Sequence, residues 1–232
     1  MQKNYKHLFF DLDRTLWDFE RNSEVVLNQL FRDFQLQQIF GSYVLFKARY
    51  KYHNQRLWMA YHQNRIDKET LMVRRFYLSL KEAGCDDMDM AHEMGEDYLE
   101  LSGLQTHTFP NTHKTLEYLH NKGYKMHIIT NGFNRVQSKK LANCKLDTYI
   151  TNLITSEDAG HTKPHKAIFK YALKMAGATT EESLMVGDDL KTDIQGACNA
   201  GIDQVYFNPL RHESQEGVIS EISDLSELRQ IL

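Results

Sequence analysis

The sequence has little cysteine: three in 232 residues, at positions 85, 144 and 198. They lie far apart, in an odd number, and form no C-x-x-C pair. That excludes a disulfide framework and makes a reducing cytoplasm the expected compartment. No apolar stretch approaches the roughly 18 residues needed to cross a bilayer. The opening "MQKNYKHLFF" runs almost directly into an expected strand, which leaves no room for a signal peptide. Charge of one sign is also missing. Lysine and arginine number 28 against 31 acids, a net charge of -3, so capture of a nucleic-acid polymer or an acidic membrane is not expected. No G-x-G-x-x-G follows the first strand, which argues against a dinucleotide. There is no internal repeat and no low-complexity segment.

What is present is an ordinary globular composition, 41% hydrophobic and 25% charged. It is long enough for one large domain or for one domain carrying an insertion. Short apolar runs recur: "HLFF" at 7–10, "MHIIT" at 126–130, "YITNLIT" at 149–155, "SLMVG" at 183–187 and "QVYF" at 204–207. Runs without strict alternation mark parallel strands buried on both faces. Helical patterns lie between the later ones. Pro110 and Pro164 suit first helical turns, and Gly123, Gly177 and Gly201 suit C-terminal caps. Strand and helix alternate, which predicts an α/β fold with a Rossmann-like, doubly wound parallel sheet. Residues 22–104 differ. They contain no proline, and Phe46, Tyr50, His53, Leu57 and Ala60 step at helical spacing, as do Val73, Phe76, Tyr77 and Leu80. Asp67 suits the N-cap of the second of these helices. The expected organisation is a core of 1–18 with 105–232 and an α-helical insertion at 19–104. The final "ISEISDLSELRQIL" reads as one amphipathic helix.

In an open parallel sheet, ligands bind beyond the C-terminal ends of the strands. The first strand delivers Asp11 and Asp13, then Thr15; the second, Thr130, Asn131 and Gly132. "GHTKP" follows the third with Lys163, and the fourth ends in "GDDLKTD" with Asp188, Asp189 and Asp193. Asp11, Asp188 and Asp193 make a hard oxygen cluster without the histidine or cysteine that favours zinc, so Mg²⁺ is the expected cofactor. Lys163 supplies a point charge to a substrate phosphate, and Thr130 and Asn131 supply neutral donors. A metal and a lysine facing one anion suit phosphoryl transfer.

These residues, in this order, resemble the haloacid dehalogenase (HAD) superfamily, whose four motifs correspond to "DLDRT", "TNG", "KP" and "GDD…D". The helical insertion is similar to that superfamily's C1 cap, a lid over the site. "IITNGFNRVQSKKL", "ITSEDAGHTKPHKAIFKYAL" and "LWMAYHQNRIDKETL" resemble the YjjG-type noncanonical pyrimidine 5′-nucleotidases. The resemblance implies a phosphohydrolase acting on a small phosphorylated metabolite, most of all a pyrimidine nucleoside 5′-monophosphate. It implies Asp11 as nucleophile, forming an aspartyl-phosphate, and Asp13 as general acid–base. It also implies that the Asp13 backbone carbonyl reaches the metal. Catalysis would then rest on Asp11, Asp13, Thr130 and Lys163, phosphate binding on Thr130, Asn131 and Lys163, and metal binding on Asp11, Asp13, Asp188 and Asp193. Arg14 departs from the commoner glycine of the first motif.

The same core also serves sugar-phosphate phosphatases and phosphomutases. A phosphoaspartate switch or a non-catalytic binding protein are the other classes, and the insertion and the second acid argue against the switch. Asp189 is either a helix N-cap or part of the metal shell. Trp58 and Phe133 either stack on a base or pack in a core. Met72, Met88, Met90 and Met94 read as packing in the insertion. The sequence leaves oligomeric state open, a monomer being plausible.

Overall fold

The computed structural model describes residues 4–63, 65–212 and 220–232. Of the stretches quoted above, residues 1–3, Asn64 and Ile219 lie outside the described residues. The described residues divide into two compact units, one of residues up to Glu20 together with Gln105–Leu232, the other Arg21–Leu104.

The first unit is built on six parallel strands: β1 (His7–Phe10), β2 (Lys125–Thr130), β3 (Ile150–Thr155), β4 (Ser183–Gly187), β5 (Asp203–Phe207) and β6 (Ser220–Ile222). Their order is β3-β2-β1-β4-β5-β6. The chain winds outward from β1 through β3, then returns to the other side of β1 and winds outward through β6. The switch in direction therefore lies between β1 and β4, where diverging loops leave a crevice. The Asp11 N–H continues this seam, donating to the Val186 carbonyl at 2.9 Å.

Side-chain alternation along the strands feeds two cores. Leu8 and Phe10 join Leu116, Leu119, Ile128 and Val186 on one face, while Phe9 joins Ile129, Ile168, Phe169 and Met185 on the other. Helices α6 (Thr112–Asn121) and α7 (Asn134–Asn143) give residues to the first core. Helices α9 (Lys166–Ala176) and α10 (Gln195–Ala200) give residues to the second. The one-turn α8 (Ser156–Ala159) follows β3 directly, through a capping box on Thr155 and Asp158.

Three local expectations change. The helix that Gly201 closes opens as a π-helical turn, Leu190–Ile194, and only then becomes α10. The helices after Pro110 and Pro164 begin two residues later than the prolines, at Thr112 and Lys166; His165 Nδ1 caps the second, accepting from the Ala167 N–H at 3.2 Å. The C-terminal stretch is β6, a 3₁₀ turn at Leu225–Glu227 and a single helical turn, α11 (Leu228–Ile231), rather than one helix. Ile222, Leu225 and Leu228 are buried with a spacing of three, which a 3₁₀ turn places on one side as readily as an α-helix does.

The second unit contains helices α2 (Gln37–Phe40), α3 (Tyr43–His62), α4 (Lys68–Glu82) and α5 (Met88–Leu104), with most of α1 (Phe19–Asp33). Its own core gathers Leu27, Leu30, Phe46, Tyr50, Phe76 and Met94. Asp67 caps α4, accepting from the Thr70 N–H at 2.7 Å. Met72 and Met90 pack against this core, whereas Met88 is exposed.

Candidate active site

Just past the end of β1, Asp11 and Asp13, two residues apart, project into different surroundings. Asp11 Oδ1 lies 2.5 Å from Lys163 Nζ. The same ammonium donates to Asp193 Oδ1 at 2.6 Å and to the Ile129 carbonyl at 2.9 Å, so its three hydrogens are spent on three oxygens. Lys163 is 2% exposed and Asp193 1%. Asn131, at the end of β2, positions this lysine through its main chain. Its Oδ1 accepts the Lys163 N–H at 2.7 Å and its Nδ2 donates to the Lys163 carbonyl at 3.1 Å. The sequence suggested a phosphate donor at Asn131; the structure engages its amide in holding the Lys163 loop.

Asp193 reaches the site because the π turn widens the start of the helix. Asp193 and Ile194 both donate N–H groups to the Asp189 carbonyl, at 2.9 and 3.2 Å. The Asp193 carboxylate accepts the Asp189 N–H at 3.1 Å. It also packs against the α-carbon of Gly187, where a Cβ would lie 2.4 Å from Asp193 Oδ2. Only glycine fits there. Asp189 is the N-cap, its exposed carboxylate accepting from Lys191 and Thr192 N–H groups at 2.8 Å each. Asp188 turns the other way and accepts the Thr15 hydroxyl at 3.0 Å.

One carboxylate oxygen each from Asp11, Asp188 and Asp193 lies within 4.8 Å of the others. Burial drives the Asp11 carboxyl well above its ordinary range; Lys163 pulls it back, and Asp193 and Asp188 push it up again. Asp188 is pushed up to about 7, by burial first and by Asp193 next. Burial likewise raises Asp193 against the pull of Lys163. Burial lowers the Lys163 ammonium, and its two carboxylates more than offset that. Three carboxylates thus face one ammonium, an excess of two negative charges when all are ionised. A hard divalent cation satisfies both the charge and the donor set, because every ligand atom is oxygen and none is imidazole or thiolate. The residues present fit Mg²⁺.

The Asp13 carboxylate is not among these three. Its Oδ1 pairs with Lys140 Nζ at 2.5 Å and its Oδ2 accepts from Gln137 Nε2 at 2.8 Å. Gln137 Nε2 also donates to Thr130 Oγ1 at 2.8 Å, and that oxygen accepts the Gly132 N–H at 3.0 Å as well. Two acceptor contacts leave the Thr130 hydroxyl proton for a further acceptor. Gln137 and Lys140 were missed in the sequence. The available signal was on α7, where buried Val136, Gln137, Lys140 and Leu141 form one helical stripe with two polar members. Phe133 is buried and Trp58 is partly exposed, in contact with Tyr61 and His62. Arg14 adopts φ 71°, the left-handed region that favours the glycine commoner at this position.

A model of the haloacid dehalogenase-like hydrolase family matches residues 8–207. The chain is 32% identical to the pyrimidine 5′-nucleotidase PynA of Streptococcus pneumoniae, over 98% of this chain and 95% of that one. It is 31% identical to the pyrimidine 5′-nucleotidase YjjG of Escherichia coli, over 97% and 96%. A magnesium-bound crystal structure of the putative HAD-hydrolase YfnB from Bacillus subtilis superposes with a TM-score of 0.88 at 30% identity, covering 99% of both chains. With strand ends that gather three carboxylates and a lysine at the switch point of a parallel sheet, this chain belongs to the haloacid dehalogenase-like hydrolases. It is an enzyme of that family. No helix among the described residues is long and apolar enough to cross a membrane.

Proposed function

We propose that the protein is a Mg²⁺-dependent phosphomonoesterase whose preferred substrates are pyrimidine nucleoside 5′-monophosphates. The observation that carries this is the division of the two acids: Asp11 beside Lys163, Asp188 and Asp193, and Asp13 apart from them with its own donors. Asp11 is the nucleophile. Its carboxylate oxygen bonds to phosphorus as the ester P–O bond breaks, and Asp13 gives a proton to the leaving oxygen. In the second half, Asp13 takes a proton from the attacking water as the bond between Asp11 and phosphorus breaks. That restores the free carboxylate and releases phosphate.

Lys163 holds Asp11 in place, and a phosphate oxygen reaching this ammonium takes over one of its present carboxylate contacts. The Thr130 hydroxyl donates to the same phosphate. Asp11, Asp188 and Asp193 side chains, with the Asp13 carbonyl, would hold Mg²⁺, which neutralises negative charge on the phosphoryl group. The two pyrimidine 5′-nucleotidase relatives, matched over nearly the whole chain, support the substrate class. The helical unit, inserted between β1 and β2, is proposed as the cap that selects the substrate, and the partner of the protein as a small phosphorylated metabolite.

The test is phosphate release from a panel of pyrimidine and purine monophosphates and sugar phosphates, with Mg²⁺ or EDTA and with Asp11→Asn in parallel. Release that needs Mg²⁺, is fastest on pyrimidine nucleotides and is lost in Asp11→Asn is the expected result. Activity confined to sugar phosphates would overturn the substrate class. Absence of release from every ester by folded, Mg²⁺-supplied protein would overturn the reaction.

A further inference from the structure

Asp13 is held by more machinery than an ordinary surface acid needs. Each of its oxygens has a separate donor, Lys140 on Oδ1 at 2.5 Å and Gln137 on Oδ2 at 2.8 Å. Both donors are buried in the core domain, with Gln137 1% and Lys140 4% exposed, while the Asp13 side chain keeps 22% of its surface open. The acid is the member of this group that a ligand can reach.

Neither donor can turn away at low cost. Lys140 Nζ lies 3.9 Å from the centroid of the Trp17 ring, and Trp17 is itself 1% exposed. The amide of Gln137 spends one hydrogen on Asp13 and the other on Thr130 Oγ1. Its place is kept open by Gly132, where a Cβ would lie 2.4 Å from Gln137 Nε2. The phosphate-facing threonine and the acid–base aspartate are therefore tied to one amide group.

We propose that Gln137 and Lys140 are positioning residues, which aim the Asp13 carboxyl at the leaving oxygen of the substrate. The inference rests on the phosphomonoesterase reading and deepens it. Rotating Asp13 breaks two charge-assisted hydrogen bonds, so its direction is fixed before substrate arrives. In the first half-reaction, which releases the leaving group, loss of that direction hurts only an ester whose leaving oxygen needs a proton. An alkyl ester, such as a nucleoside 5′-monophosphate, expels an alkoxide and needs the proton. Nitrophenyl phosphate expels a stable phenolate and does not.

The experiment is single-turnover release of the leaving group from both esters, with Mg²⁺, by wild type, Gln137→Met and Lys140→Met. Methionine keeps the aliphatic stem in each case. The expected result is a loss of ~30-fold or more on the nucleotide, within the range ascribed to positioned acid catalysis, with under ~3-fold loss on nitrophenyl phosphate. Equal losses on both esters would show a general structural role and overturn the proposal, as would no loss on either. If Lys140→Met does not fold, Gln137→Met decides alone, since it exchanges a neutral group for a neutral one. A wild type that releases nothing from either ester would remove the phosphatase reading and this inference together. Wild-type turnover with unaffected variants removes the inference alone.

Discussion

Asp11 and Asp13 are two residues apart and each has a lysine at 2.5 Å, yet their surroundings differ in charge balance. Around Asp11, three buried or half-buried carboxylates gather beside one ammonium, which bonds only Asp11 and Asp193 among them. Around Asp13, one carboxylate meets one ammonium, an amide and an indole ring. The second pocket is electrically complete, and the first is not. A buried excess of negative charge must be met by protons or by a cation, and the raised carboxyls of Asp11, Asp188 and Asp193 express that demand. The contrast explains how neighbouring acids take different work. Asp11 is fixed among carboxylates whose charge calls for a cation, while Asp13 stays partly open to solvent and is held by its own donors.

The largest separation of the two pockets should come from removing their lysines. Lys163→Met strands the buried carboxylates of Asp11 and Asp193 and is expected to cost about 3–5 kcal/mol of stability in EDTA at pH 7, the range for breaking a buried ion pair. Lys140→Met strands one partly exposed acid that keeps Gln137, and about 1–2 kcal/mol is expected. Urea unfolding of both variants measures the gap, and equal losses would erase the distinction. The next largest effect is on pH. Asp188 is pushed up to about 7, from an ordinary 3.8. Between those values the folded state binds more protons than the unfolded one, so stability falls as pH rises through this window. The loss is up to about 4 kcal/mol in EDTA, at 1.36 kcal/mol per pKa unit. His127, held down to about 4 by burial, contributes the opposite slope up to about 6.5. The informative quantity is therefore the stability of wild type minus that of Asp188→Asn, which keeps the same histidine. A difference that stays flat from pH 4 to 8 would mean that Asp188 is not under this strain.

What the sequence made legible, and what it hid, follows the same division. β1, β2, β4 and β5 are almost wholly buried, and such strands announce themselves as unbroken apolar runs. β6 has only three residues and merges with a spacing of three that reads as helix. At the site, Asp11, Lys163, Asp188 and Asp193 stood out because strand ends are where a parallel sheet presents its ligands. Gln137 and Lys140 did not, because they lie within α7, where polar side chains usually face water. Asn131 was legible as a donor but not in its target, the Lys163 main chain, since a short amide can serve any neighbour its loop brings close. Asp189 and Asp193 are the same residue type four positions apart. One caps a turn and the other enters the site, and a π turn that the sequence did not announce makes the difference.

Adding Mg²⁺ sharpens the comparison from the other direction. At 100 times its Kd, a cation that binds only the folded state adds about 2.7 kcal/mol. Thermal unfolding with and without Mg²⁺ is expected to show that gain in wild type and in Asp13→Asn, whose side chain lies outside the three-carboxylate group. In Asp188→Asn the gain should shrink sharply. If Asp13→Asn loses as much as Asp188→Asn, the two pockets act as one electrostatic unit and the division drawn above fails.

The smallest expected effect concerns Arg14, the residue between Asp13 and the Thr15 that holds Asp188. Its φ of 71° costs about 1–2 kcal/mol for a residue with a Cβ, which glycine avoids. Arg14→Gly also gives up an exposed pair with Glu20 at 3.0 Å, worth about 0–1 kcal/mol, and a contact 4.1 Å above the Phe19 ring, worth about 0.5–1. The greater freedom of glycine in the unfolded chain takes back about 0.4–1 kcal/mol. These terms nearly cancel, so the urea midpoint should move by less than about 1 kcal/mol equivalent. The informative readout is the Mg²⁺ response in the same melts. Besides its contact with Glu20, Arg14 pulls the Asp188 carboxyl down, so it offsets part of the charge excess around Asp11. Arg14→Gly removes that offset and should show a Mg²⁺ gain at least as large as wild type, whereas a smaller gain would mean that Arg14 does not act on the pocket through its charge.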